Sequence, residues 1–100
     1  MKREAIILNP KDNVATAISD LEAGNVVEME MDKNTISVRL VDAIPFGHKL
    51  SLSHIESDSP VIKYGEVIGM ATADIQPGQH VHVHNVASAR ARGDLVKEAK

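Results

Sequence analysis

The chain has 100 residues, 43% of them apolar, only 2% aromatic and none cysteine. It is long enough for one domain with an aliphatic core, and it excludes disulfides, thiolate metal sites and a membrane span, which needs roughly 18 consecutive apolar residues. The formal charge is −3, from 11 basic and 14 acidic residues, and one Tyr, one Phe and no Trp leave no stacking platform, so nucleic acid is excluded as a partner. Met1-Lys2-Arg3-Glu4 and the short Ala-Ile-Ile-Leu run after it resemble a signal peptide only superficially, because polar residues follow at once. The expected location is cytoplasmic, with no membrane association.

Residues 4–8 predict a short buried strand, and Asn9-Pro10-Lys11-Asp12 a turn. Val14, Ala17, Ile18 and Leu21 then recur at helical spacing, with Asp12 or Asn13 as cap and Gly24 as stop, which predicts one amphipathic helix of about three turns. After Gly24 the period changes to two. Val27, Met29 and Met31 alternate with Glu28, Glu30 and Asp32, Lys33-Asn34 can turn the chain, and Ile36, Val38 and Leu40 resume the alternation of a half-buried hairpin. Pro45-Phe46-Gly47 is a bend. His48 to Ile55 predicts a strand with Leu50 and Leu52 on one face. Pro60–Tyr64 and Gly65–Gly69 predict two strand pieces in which the glycines mark tight turns or close backbone approach. Gln76-Pro77-Gly78-Gln79 has the residues of a type II turn. From Ala87 the pattern is lost, and residues 89–100 predict an exposed tail. No internal repeat is evident. The fold class is mainly β with one amphipathic helix.

Gly78-Gln-His-Val-His-Val-His-Asn-Val86 places His80, His82 and His84 at alternate positions. In a strand these share one face, with neighbouring side chains about 7 Å apart, close enough for two imidazoles to lean onto one metal or flank one anionic ligand. Plain solvation of that face would need only polar residues, and Lys, Thr or Glu would serve as well. A His-x-His pair lacks a third ligand and no carboxylate stands nearby in sequence, so no metal is assigned to the chain. His48-Lys49 at a bend suits a carboxylate or a proton transfer, or equally a solvated loop. Tyr64 is either the main aromatic core anchor or a binding hydroxyl. Asn85 can orient His84, bind a ligand hydroxyl or close a turn. His54, before a turn, reads as a surface residue.

The ordered set "GHKLSL", "VIKYGEVIGMATADIQPGQHVHVHNV" and "RARGDL" resembles the small N-terminal domain of the altronate/galactarate dehydratase family and its close relative, the small subunit of sulfolactate sulfo-lyase. The resemblance runs from about Ile44 to Leu95. It implies the β-clip fold of SAF and antifreeze-like domains over residues 1–88, with 89–100 leading toward a large catalytic domain where the two are fused. It implies a lyase that eliminates water from an aldonic or aldaric acid to a 2-keto-3-deoxy acid, or expels sulfite in the sulfo-lyase branch. This chain would be a separate small subunit or an excised domain, inactive without its large partner. No cofactor is expected on this chain; a divalent metal, with iron the expected identity, would belong to the large partner. The resemblance points to His48, His82 and His84 as catalytic and to Lys49, Tyr64 and Asn85 as substrate-binding. The expected partners are the large catalytic subunit and a small sugar acid, with homo-oligomerisation open. The alternatives are a non-catalytic acid-binding SAF module, and a structural role with the His strand at a subunit interface.

Overall fold

The computed structural model of the protein describes residues 4–88. Among the described residues there are nine short strands: β1 (Ala5–Ile6), β2 (Val14–Ala17), β3 (Val26–Met31), β4 (Asn34–Arg39), β5 (Lys49–Ser51), β6 (Pro60–Lys63), β7 (Glu66–Ala71), β8 (His80–Val81) and β9 (Val86–Ser88). β1, β2, β5 and β8 make one antiparallel sheet in that order, β3 and β4 a hairpin, and β6, β7 and β9 a three-stranded sheet. The expected tail at 89–100 lies outside the described residues.

The alternating run after Gly24 becomes the β3–β4 hairpin, paired from Val26 opposite Arg39 to Met31 opposite Asn34. Val27, Met29 and Val38 are buried, and Glu28 and Glu30 are exposed, as a period of two requires. The turn residues are Asp32-Lys33, one position before the predicted pair, with Asp32 in the left-handed region that Asp tolerates.

The predicted helix is absent; no helix occurs among the described residues. Its first half is β2, held between β1 and β5. Val14 faces one apolar cluster with Ile55, Val61, Ala71, Ile75 and Val81. Ala15 and Ala17 face another with Val27, Met29, Leu40, Ile44 and Leu50. A strand buried on both faces has no polar side to reveal its period. The helical spacing of Val14, Ala17, Ile18 and Leu21 arises because a bend after Ala17 carries Leu21 back to the core. The expected caps serve backbone far away instead. Asp12 accepts the Tyr64 and Gly65 amides at 3.1 and 2.8 Å. Asn13 accepts the Ile62 amide at 2.8 Å and donates to the Pro60 carbonyl at 3.0 Å.

A short unit recurs four times, contrary to the expectation of no repeat. A buried Leu or Ile (Leu21, Ile44, Ile55, Ile75) is followed by a turn whose third residue after it has positive φ: Gly24, Gly47, Asp58 and Gly78. In each turn the next amide donates back to the residue after the apolar one, at 3.0 to 3.3 Å. The units pair as isolated bridges, Leu21 with Ile44 and Ile55 with Ile75. Asp20 accepts the Phe46 amide and Asp74 the Ser57 amide, both at 2.8 Å, so each pair is stapled the same way. The two halves of the domain are related by this near-symmetry, and each unit delivers the strand that follows it. Turn units two and four deliver His48 and His80. The remaining glycine expectations hold: Tyr64-Gly65, both at positive φ, turns β6 into β7, and a Cβ on Gly69 would lie 2.5 Å from the Ala87 carbonyl oxygen.

Candidate functional site

β8 ends at Val81, so the His80–His84 alternation is not one strand. Asn85 sets the break. Its side-chain carbonyl accepts the His82 amide at 3.0 Å, its side-chain amide donates to the His80 carbonyl at 2.8 Å, and its own backbone amide donates to the His82 carbonyl at 3.1 Å. The chain curls through residues 82–85 and re-enters a sheet as β9. Asn85 is 4% exposed, and its side chain holds the turn. Val81 and Val83, which would share a strand face, are 1% and 82% exposed.

The curl gathers the histidines more tightly than a strand would. His80 and His82 stack with ring centroids 5.4 Å apart, and His80 and His84 lie at 5.2 Å, tilted by 40°. His48 joins them from the turn before β5, because β5 pairs with β8 and sets Leu50 opposite His80. Its ring stacks on His82 at 4.0 Å and on His80 at 5.1 Å. His48 Nδ1 lies 2.9 Å from His80 Nε2, a hydrogen bond whose donor is set by the tautomers. The backbone of His80 is anchored separately, its amide donating to Asp42 at 2.9 Å.

The electrostatics follow from the crowding. His80 is held below the ordinary imidazole value by partial burial first, then by His48, His84 and His82, with Asp42 opposing. His82 is lowered by loss of water around its ring, then by His48, Lys49 and His84. These rings are therefore biased toward the neutral state, with lone pairs available near neutral pH. Lys49 is lowered by burial and by Lys63. It is half-buried on β5 opposite Val81 and shares with His82 an open pocket of about 240 Å³, otherwise walled mainly by Val61, Ile68, Val81 and Val86. A cationic head at the edge of an apolar pocket, beside neutral imidazoles, suits a small carboxylic acid.

His48, Lys49, His82 and His84 are thus brought together, and His80, left out of the sequence-level set, is at the centre of the cluster. The signal for including it was the position of His48 in the turn leading into the neighbouring strand, which no local pattern reveals. Tyr64 goes elsewhere. It is 63% exposed at the β6–β7 tip, so it is not a core anchor. Its amide bonds Asp12, and Lys63 Nζ sits 5.4 Å from its ring centroid. Among the described residues, no ring contact joins it to the histidines. His54 is exposed, as expected.

His48, His80 and His82 also form a group whose potential ligand atoms, one per residue, lie within 4.8 Å of one another. Imidazoles in such a group suit borderline divalent cations. The third imidazole that the His-x-His pair lacks in sequence comes from His48.

Comparison with known proteins places this arrangement. Residues 3–89 match the family described as the altronate/galactarate dehydratase SAF domain. The chain belongs to that family. Its mainly β architecture is the β-clip of SAF domains, as the sequence resemblance implied. The SAF domain is 44% identical over 80 residues to an altronate dehydratase of Escherichia coli (strain K12), covering 80% of this chain and 15% of that protein. It is 36% identical over 94 residues to the (2R)-sulfolactate sulfo-lyase subunit alpha of Chromohalobacter salexigens, covering 90% of this chain and 99% of that subunit. A galactarate dehydratase (L-threo-forming) of Escherichia coli (strain K12) is 35% identical over 78 residues, or 14% of its length. The chain therefore spans about a seventh of the dehydratases it matches and nearly all of the sulfo-lyase subunit, and it is linked to lyases through both.

Proposed function

We propose that this SAF domain donates imidazoles and a lysine to an active site completed by a large catalytic partner, and that the complete enzyme eliminates water from an aldonic or aldaric acid to give a 2-keto-3-deoxy acid. The observation that carries this reading is the grouping of four histidine rings, one of which, His82, lines an open pocket together with Lys49.

The reaction asks for residues of this kind. A base removes the proton next to the carboxylate, an acid protonates the departing β-hydroxyl, water leaves, and the enol product tautomerises to the keto acid. A neutral imidazole accepts the first proton, and an imidazolium supplies the second. His82 is available for such a step beside the pocket, with His48 stacked on it and His84 at the exposed edge. The Lys49 ammonium offers a counter-charge to the carboxylate and to the enediolate that forms as the proton leaves. The 94-residue alignment with the sulfo-lyase subunit favours a second reading on the same residues, in which sulfite is the leaving group.

The test is co-purification of the tagged chain from its native source, followed by elimination assays on altronate, galactarate and sulfolactate. A large partner and a keto acid product are expected, and the substrate that turns over separates the two readings. In the reconstituted complex, His82→Ala should lower kcat by about 100-fold or more with the complex intact. Lys49→Met should act mainly by raising KM. A chain that is recovered by itself, binds the acid and turns nothing over would replace this reading with a binding module. Loss of assembly in His82→Ala without any catalytic defect in the surviving complex would make the cluster an interface.

A further inference from the structure

We propose that His48, His80 and His82 form a tris-imidazole site for one divalent first-row transition metal ion on this small domain itself, with His84 outside the ligand set. The proposal revises the reading above in one respect, since His82 would then hold the ion and the proton transfer would fall to His84, and it stands on geometry that needs no partner.

Three imidazoles from two separate turns converge, and their ligating atoms lie within 4.8 Å of one another. With metal–nitrogen bonds of about 2.1 Å, two ligands at right angles are about 3.0 Å apart and two tetrahedral ligands about 3.4 Å. The 2.9 Å between His48 Nδ1 and His80 Nε2 falls at the short end of that range. His82, whose backbone is pinned through Asn85, would complete the set by turning its ring out of the stack on His48. His80 is pinned through Asp42, and the His48 amide donates to the Pro45 carbonyl. Backbone anchoring of every ligand is what a metal site needs to hold its geometry.

The chemistry of the donor set selects the ion. Neutral nitrogen ligands without thiolate or carboxylate suit zinc, iron, cobalt, nickel or copper over magnesium or calcium, which prefer oxygen. Three protein ligands leave coordination positions open, the pattern of catalytic sites as opposed to closed structural ones. With no carboxylate among the ligands the ion would keep its full double charge. Bound there, it would supply positive charge for a substrate carboxylate alongside Lys49.

The test uses the 100-residue chain without a polyhistidine tag. Cobalt(II) is titrated by visible absorption, and zinc(II) by shifts of the ring nitrogens in a nitrogen-15 histidine-labelled sample. One cobalt per chain is expected, with ring shifts at His48, His80 and His82 larger than at His84 and absent at His54. His48→Ala, His80→Ala and His82→Ala should each weaken cobalt binding by about tenfold or more, and His54→Ala should not change it. The ring shifts keep the proposal testable where a variant fails to fold. No binding up to about millimolar cobalt, or full affinity in His48→Ala, overturns it. Metal binding without turnover in the reconstituted complex would defeat the lyase reading and leave this one standing; turnover with no metal on this domain would do the reverse.

Discussion

Residues 24–31 and 78–84 begin alike and end differently. Each starts with a glycine at positive φ in the repeated turn unit and settles into alternation of apolar and polar residues, Val27 to Met31 in the first and His80 to His84 in the second. The first becomes a six-residue strand because β4 pairs with it along its whole length. The second pairs with β5 over only two residues, His80 and Val81, and then curls. Alternation is thus permission for a strand, and a partner of matching length turns it into one. Where the partner runs out, a residue that can bond three backbone groups decides the path, and Asn85 is that residue. The hairpin spends its alternation on separating core from water. The His segment spends it on delivering rings to one place.

The comparison can be broken most severely at the two glycines. A Cβ on Gly78 would lie 2.0 Å from the Arg39 carbonyl oxygen, whereas one on Gly24 meets nothing within 4 Å. Gly78→Ala should cost about 3 kcal/mol or more in urea unfolding, and Gly24→Ala only about 1 kcal/mol of backbone strain. Equal losses would mean that the two turn units are packed alike.

Asn85→Ala is the next largest effect. It should cost about 1–3 kcal/mol by leaving the turn amide and carbonyl without partners. It should also scatter the rings, read as loss of contacts between His48 and His82 in nuclear Overhauser spectra. A variant that keeps those contacts would show that the sheet, not the turn, assembles the cluster.

Val81→Ala and Val83→Ala sharpen the distinction between strand and curl. Loss of two buried methyl groups at Val81 should cost about 1.5 kcal/mol, whereas Val83, 82% exposed, should change stability by less than about 0.5 kcal/mol. Similar costs at both would restore the continuous strand.

The smallest effect is the pH dependence. His80 and His82 have lowered values in the folded chain, so the unfolded chain binds more protons on the acid side. Their contribution to stability is complete above the ordinary value of 6.5 and is lost as pH falls through it toward the lowered folded values. Metal-free protein should therefore lose stability on acidification below about 6.5, and His80→Gln should flatten that slope. The groups facing His80 are His48, His82, His84 and Asp42, and only Asp42 opposes the effect.

Much of the β architecture is legible in the sequence where the period is local. The Val27–Leu40 hairpin, the Pro77-Gly78 turn, the close approach at Gly69 and the buried Leu50 all follow from neighbours within a few residues. β2 was hidden because Val14, Ala15 and Ala17 are buried on both faces, which removes the polar half of the pattern. Asp12 and Asn13 have the chemistry of caps, but their partners lie some 50 positions away. The fourfold turn unit escaped because it repeats a backbone conformation and one buried aliphatic residue, not a string of identities.

Composition and order determined an aliphatic, cysteine-free, mainly β domain with histidines and Lys49 as chemically capable residues, and its motifs resemble those of a lyase family. Tertiary structure alone decided which of them meet. His48 reaches His80 because β5 lies beside β8 across 32 positions of sequence, and Tyr64 is taken away because its turn is bound to Asp12. Pairing between distant strands is a property of the whole folded chain, and no short window contains it.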